Sequence, residues 1–264
     1  MMIAKPLLVL ALSALSVLSA CGHAPKKAPQ PEPSAAQAVK PRHEGAENLS
    51  PDSWRYKIIE LAKEEWVYFG QQRVEIYGDE ESIPHVGIWE DDDYPHSDRI
   101  NQYWRSVGKT DLSGNDCDQP WSAAFISWVM QEAGVPESLF PRAEAHREYL
   151  SYIIANAQSS DALLVPHTIR EYKPKPGDLI CANRGRGYFG EVVEEIPETL
   201  NAKLHCDIVV QIDDRTLQAI GGNVRNSVSK TILTLNPEGY LQLSSHRPWF
   251  LVIENRLDQL GSVD

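Results

Sequence analysis

The chain has 264 residues, 42% of them hydrophobic and 23% charged, and its 37 acidic against 25 basic side chains leave a formal net charge of -12. That excess of negative charge excludes a nucleic-acid partner, whose phosphates need a basic surface, and excludes charge-driven binding to anionic lipid. Length and apolar content suit one sizeable globular domain with extensions.

In chain order, Lys5 opens a positive segment and residues 6–18 form an apolar run. The run is shorter than the ~20 apolar residues a membrane span needs, so residues 1–20 read as a cleaved export signal. Leu18-Ser19-Ala20-Cys21 reads as a lipobox, with Cys21 as the lipidation site; an ordinary signal peptide with a chance cysteine is the alternative. Gly22 stands where Asp would retain the protein elsewhere, and by resemblance to Gram-negative lipoproteins this implies an outer-membrane location facing the periplasm. Contact with the membrane is then expected through the N-terminal lipid only. Residues 21–49, rich in Ala, Pro and Lys, are expected to form a flexible tether, and residues 50–264 a single domain.

Ser50-Pro51-Asp52 reads as a helix start, with Ser50 as cap, and Trp54, Ile58, Leu61, Ala62, Trp66 and Phe69 follow at helical spacing up to Gly70. Residues 71–94 carry turn residues and the acidic run Glu90 to Asp93, and are expected to be a loop region with at most a short strand. Ser97 is a candidate cap for a second helix ending at Gly108, a third spans about Pro120 to Ala133, and a fourth residues 142–157. The pattern then changes. Pro174 to Asp178 is a turn, and Leu179 to Ala182 a strand. The Gly-rich loop Arg184 to Gly190 follows, and then strands at 206–212, 217–220, 227–234 and 249–254. Helices first and an antiparallel sheet second predict an α+β domain. In an oxidising compartment, Cys181 and Cys206, each on a predicted core strand, are the candidate disulfide pair. There is no CxxC pair, and the acidic run with His85 and His96 matches no standard ligand spacing, so no metal and no cofactor are expected and a solvated acidic loop is the default.

Three segments stand out together: Pro120-Trp121-Ser122-Ala123-Ala124-Phe125-Ile126-Ser127-Trp128; Pro176-Gly177-Asp178-Leu179 with His205-Cys206-Asp207-Ile208-Val209-Val210; and Gly221-Gly222-Asn223-Val224-Arg225-Asn226-Ser227-Val228. Their order resembles the CHAP and NlpC-type amidases and endopeptidases of the papain-like superfamily. There a Trp-Cys-Ala-X-Phe-Val-X-Trp motif starts a helix with its Cys as nucleophile. A Pro-Gly-Asp turn follows, then a strand whose His is the base, and a polar residue on the next strand orients that His. The third segment resembles a CHAP-like subgroup, and the whole chain a family of bacterial lipoproteins catalogued as a domain of unknown function. The resemblance covers roughly residues 50–254. It implies a papain-like fold with N-terminal helices packed on a C-terminal antiparallel sheet, and peptidoglycan as the partner.

Carried onto this chain, the motifs make Ser122, His205 and Asn223 the candidate catalytic residues, with Ser122 standing where the family has Cys. A nucleophile at a helix N-terminus sits in a positive potential beside unpaired N–H groups, and a hydroxyl depends more than a thiol on its base. Two readings stay open: a peptidoglycan amide hydrolase that uses serine, or a catalytically inactive wall-binding or scaffolding protein. Each residue also has a plainer role. Ser122 is a favoured helix cap, His205 a structural strand-end histidine, and Asn223 a turn residue after Gly-Gly. Asp207, on the same strand face as His205, is a second candidate for orienting it, or a surface charge. Asp118 is a candidate contributor just before the helix, and His146, beside Tyr149 on the fourth helix, either lines the groove or packs in the core.

Overall fold

A computed structural model of the chain describes residues 49–184, 200, 203–244 and 247–262. Cys21, the signal segment assigned to residues 1–20 and all of the tether assigned to 21–49 except Leu49 lie outside the described residues, as does the Gly-rich loop beyond Arg184. Among the described residues the fold is α+β, with four α-helices and one eight-stranded sheet. No described helix is long and apolar enough to cross a membrane.

The helices form where capping and apolar spacing agree. Helix α1, Trp54–Tyr68, is capped by Ser53, whose Oγ accepts from the Tyr56 N–H at 3.2 Å. Ser50 takes the Asp52 N–H instead, so the cap lies three residues later than expected. Helix α2, Tyr94–Ser106, is capped by Asp93 rather than Ser97, because Asp93 Oδ1 accepts from the His96 N–H at 3.0 Å. Helix α3, Ser122–Glu132, is buried at every position from Ser122 to Met130, which accounts for its apolar character all round. Helix α4, His146–Asn156, buries His146, Tyr149, Leu150 and Ile153, a single stripe at helical spacing.

The sheet runs β2-β1-β7-β6-β5-β4-β8-β3. Its strands are β1 Gln72–Tyr77, β2 Glu80–His85, β3 Leu164–Thr168, β4 Leu179–Asn183, β5 Leu204–Asp213, β6 Thr216–Val224, β7 Ser227–Thr234 and β8 Trp249–Asn255. Two features correct the expectation of an antiparallel C-terminal sheet. Residues 72–85 form a hairpin, not a loop, and β1 joins β7 in parallel, so the sheet is mixed and draws strands from both halves of the domain. The parallel join leaves room for the buried Gln72 side chain, whose Nε2 donates to Val224 O at 3.0 Å and Ser229 Oγ at 2.8 Å.

Strand alternation divides the core. Cys206, Ile208 and Val210 of β5 belong to the cluster shared with the helices, while Val209 belongs to a second cluster on the opposite face with Val74, Leu217, Leu233 and Trp249. The Pro-Gly-Asp turn ties this sheet at its centre. Buried Asp178 accepts from the Lys175 N–H at 2.7 Å and the Asn255 N–H at 3.0 Å, so it joins the start of β4 to the end of β8. Gly177, at φ +92°, packs against the Arg55 side chain.

Cys181 on β4 and Cys206 on β5 are directly paired and joined by a disulfide across the central strands, 25 positions apart in sequence. Loop-closure entropy for that separation amounts to about 3 kcal/mol. Replacing both cysteines by alanine is expected to lower the melting temperature by roughly 10 °C, read by thermal unfolding under non-reducing conditions.

Candidate active site

The site forms where the sheet opens. The β5–β6 register runs from Asp213–Thr216 to Ile208–Ile220. Beyond it, among the described residues, His205 to Asp207 face Gly221 to Asn223 without ladder pairing. The two glycines are demanded by contact. A Cβ on Gly221 would lie 1.7 Å from Asp207 Oδ1 and 3.1 Å from His205 Nε2, and one on Gly222 would strike Phe125 and Trp121 of the helix layer at 2.5–2.7 Å. The stretch read as a strand followed by Gly-Gly is therefore part of β6, bulged between Gly221 and Val224. Arg225 and Asn226, both at positive φ, make the two-residue turn into β7.

Ser122 is the first residue of α3 and does not cap it; the helix N-terminus has no side-chain cap. Its Oγ lies 2.6 Å from His146 Nε2. His146 is in turn the first residue of α4, and its Nδ1 hydrogen-bonds the Tyr149 hydroxyl one turn on. When the serine hydroxyl donates to Nε2, Nδ1–H is left to donate to Tyr149. All three residues are buried, Ser122 with 2% of its surface exposed. Burial pushes the His146 pKa well below the ordinary histidine value, and the neighbouring His205 and Arg184 add to the effect. The ring is neutral at pH 7 and available as an acceptor.

His205 does not meet Ser122 in a hydrogen bond; it is held by Asp207 and Arg184. Its Nε2 lies 2.6 Å from Asp207 Oδ1, and Arg184 Nη2 donates to its Nδ1 at 3.1 Å. Both ring nitrogens are thus engaged, which leaves neither for Asn223, the expected orienting residue. Asn223, at φ +55°, contributes its backbone carbonyl to Arg184 at 3.0 Å instead. The physical reason is parity. His205 and Asp207 alternate with the helix-facing Cys206 and Ile208, so they project to the other face of β5, while Ser122 approaches from the helix side. The two histidines meet at the opening, ring centroids 5.7 Å apart and edge to face.

Asp207 is fully buried and is no surface charge. Its Oδ2 accepts from Arg247 Nη1 at 3.3 Å. Desolvation works to raise its pKa, but the charge and hydrogen bond of His205, with Arg247 and Arg184, outweigh it and hold the carboxyl below its ordinary value. For His205 the balance falls the other way. Burial, helped by Arg184 and Arg247, wins over Asp207 and pushes its pKa down to about 4. Asp118, by contrast, is exposed in the loop before α3 and lies outside the site.

The acidic run is not a solvated loop throughout. Glu90 is 1% exposed, and its Oε2 accepts from Trp121 Nε1, next to the serine. Its Oε1 is buried without a hydrogen-bond partner among the described residues. Desolvation, opposed by the Trp121 bond and aided by Asp91, raises its pKa to about 7. Asp93 is taken up in capping α2 and binding His96 Nδ1 at 2.6 Å, and no group of metal-ligating side chains is found among the described residues. Sequence reasoning underweighted His146 and missed Tyr149, Glu90, Arg184 and Arg247. The only local signal was the i, i+3 spacing of His146 and Tyr149 at a helix start.

A carboxyl whose pKa is higher folded than unfolded contributes stability fully present below the unfolded value and lost as pH rises through the folded one. For Glu90 the window is pH 4.5 to about 7, and the loss on the order of 3 kcal/mol. Glu90→Gln is expected to match the parent at pH 4 and exceed its unfolding free energy by up to that amount at pH 8. Urea unfolding across the pH range measures the difference.

No curated protein and no solved structure matches the chain. A family model described as "Uncharacterized protein conserved in bacteria (DUF2272)" matches residues 87–255, a span holding Ser122, His146, His205 and Asp207. With well over half of its length matched, the chain belongs to this bacterial DUF2272 family.

Proposed function

We propose that the protein is a serine-dependent amide hydrolase of the cell envelope, acting on peptidoglycan from a lipid anchor at Cys21. The observation that carries the reading is the 2.6 Å contact of Ser122 Oγ with His146 Nε2 at the uncapped start of α3. The papain-like resemblance of the three motifs supplies the substrate class, and the site supplies the chemistry.

In this reading Ser122 Oγ attacks the scissile carbonyl while its proton passes to His146 Nε2. Tyr149 holds the ring in the required tautomer. The N–H groups of the first turn of α3, which make no intrahelical bonds, stabilise the oxyanion. The imidazolium returns its proton to the leaving amine, and water then releases the acyl group by the same steps reversed. His205, fixed by Asp207, stands edge-on to His146 and positions it. A second reading, a binding protein without chemistry, is favoured by the low exposure of Ser122 and by the engagement of both His205 nitrogens.

The deciding experiment incubates the purified chain with sacculi and identifies released fragments by mass spectrometry. Soluble fragments are expected from the parent, none from Ser122→Ala, and a rate lower by ~10²–10⁴ from His146→Gln. Fragments from Ser122→Cys alone would establish a scaffold whose chemistry has been lost, and retention on sacculi without fragments from any variant would favour the binding reading. Because both histidines titrate below the ordinary value, kcat/KM is expected to stay level from pH 8 to below 6.5, where an unshifted histidine would already reduce it.

A further inference from the structure

On the face of β5 away from Ser122, a pocket of about 340 Å³ is lined by Arg184, Arg225 and Arg247, with His205 and Asn223 in its wall and Glu81 at its edge. Three guanidiniums around one small cavity are unexpected in a chain of net charge -12. Their present partners differ. Arg225 is spent on Glu81, which accepts from its Nε at 2.9 Å and Nη2 at 2.6 Å. Arg247 gives Nη1 to Asp207 and to Thr231 Oγ1. Among the described residues Arg184 donates to neutral acceptors, His205 Nδ1 and the Asn223 carbonyl, and no carboxylate lies within ion-pair distance of it. It is also exposed, so a ligand can reach it.

We infer that this pocket binds the free carboxylate of a peptide, with Arg184 as its principal anchor and Arg247 as second donor. The fork of a guanidinium takes a carboxylate bidentately, as it does a phosphate, and the cavity is at the lower end of small-ligand sites. The choice of a peptide as bearer of the carboxylate rests on the hydrolase reading above; the need for an anion rests on the arginines alone. A bound carboxylate that draws Arg184 outward also uncovers His205 Nδ1, the nitrogen it now occupies.

The test uses the full chain carrying Ser122→Ala, so that binding is read without turnover. Titration calorimetry with N-acetyl-alanyl-alanine, in L,L and D,D forms, is compared with the same peptides amidated at the C-terminus and with inorganic phosphate. The acid is expected to bind at least tenfold more tightly than the amide, and the preference to vanish in Arg184→Gln at an unchanged melting temperature. Histidine ¹⁵N resonances would show the Nδ1 signal of His205 moving on addition of the acid. Equal affinity for acid and amide, an undiminished preference in Arg184→Gln, tighter binding of phosphate, or no binding of any probe would each overturn the inference. Acid selectivity without sacculus hydrolysis by the parent would leave the pocket and remove the enzyme; hydrolysis without acid selectivity would do the reverse.

Discussion

A carboxylate buried without any exposure, as Asp207 is, can stay ionised only if its oxygens are met by donors, since the desolvation of an unpaired charge costs several kcal/mol. His205 meets one oxygen and Arg247 the other. Much of the surrounding backbone follows from that requirement. The space for the carboxylate exists because position 221 has no side chain, and because β6 bulges away from β5 at that level. Position 222 lets the same bulge settle onto Trp121 and Phe125, and this seats the start of α3 against the sheet. The disulfide of Cys206 clamps the strand between His205 and Asp207 to β4. The carboxylate, the histidine and the start of α3 are thus parts of one packing solution.

The arrangement divides the elements of a triad between two histidines. His205 has the carboxylate that would stabilise its imidazolium, and the Nε2–H···Asp207 bond leaves Nδ1 as an acceptor, the state a general base needs; but Arg184 covers that nitrogen. His146 has the serine, and only a tyrosine hydroxyl behind it. A protonated His146 is penalised by burial and by positive neighbours. Of the two, His146 touches the serine and His205 is better supported electrostatically. Their edge-to-face contact brings the histidine of the arginine pocket against the histidine of the serine.

The elements legible in the sequence were those set by local patterns. The spacing of Ile58, Ala62 and Trp66, the apolar run after Ser122 and the β-branched runs around residues 208 and 252 each specify an element within a few neighbours. The caps shifted by a few residues because Ser50 and Ser97 were judged by residue type, whereas Ser53 and Asp93 have the geometry. The β1–β2 hairpin was hidden because β2 is nearly all exposed and β7, the other partner of β1, lies far along the chain. The pairing of Ser122 with His146 was hidden for a like reason: parity places His205 on the far face of β5, and only the packing of α4 shows which histidine takes its place. Glu90 was hidden by its company, since Asp91, Asp92 and Asp93 suggest solvent while Glu90 alone turns inward.

The serine at position 122 and the environment of His146 are mutually consistent. A cysteine nucleophile of the papain type works as a thiolate beside an imidazolium, and that ion pair must be stable in the resting site. Here burial, His205 and Arg184 all oppose a resting charge on His146, and among the described residues no carboxylate hydrogen-bonds it to offset them. A thiol at this position would remain protonated. A serine–imidazole pair is neutral at rest and needs the imidazolium only transiently, when the negative charge on the substrate oxygen at the start of α3 appears with it. The low histidine pKa thus disfavours a standing ion pair at position 122, and it also weakens the base on which a hydroxyl depends. The serine at position 122 and the desolvated histidine go together in a site that holds no standing charge on His146 and keeps buried Asp207 on the opposite face of the strand.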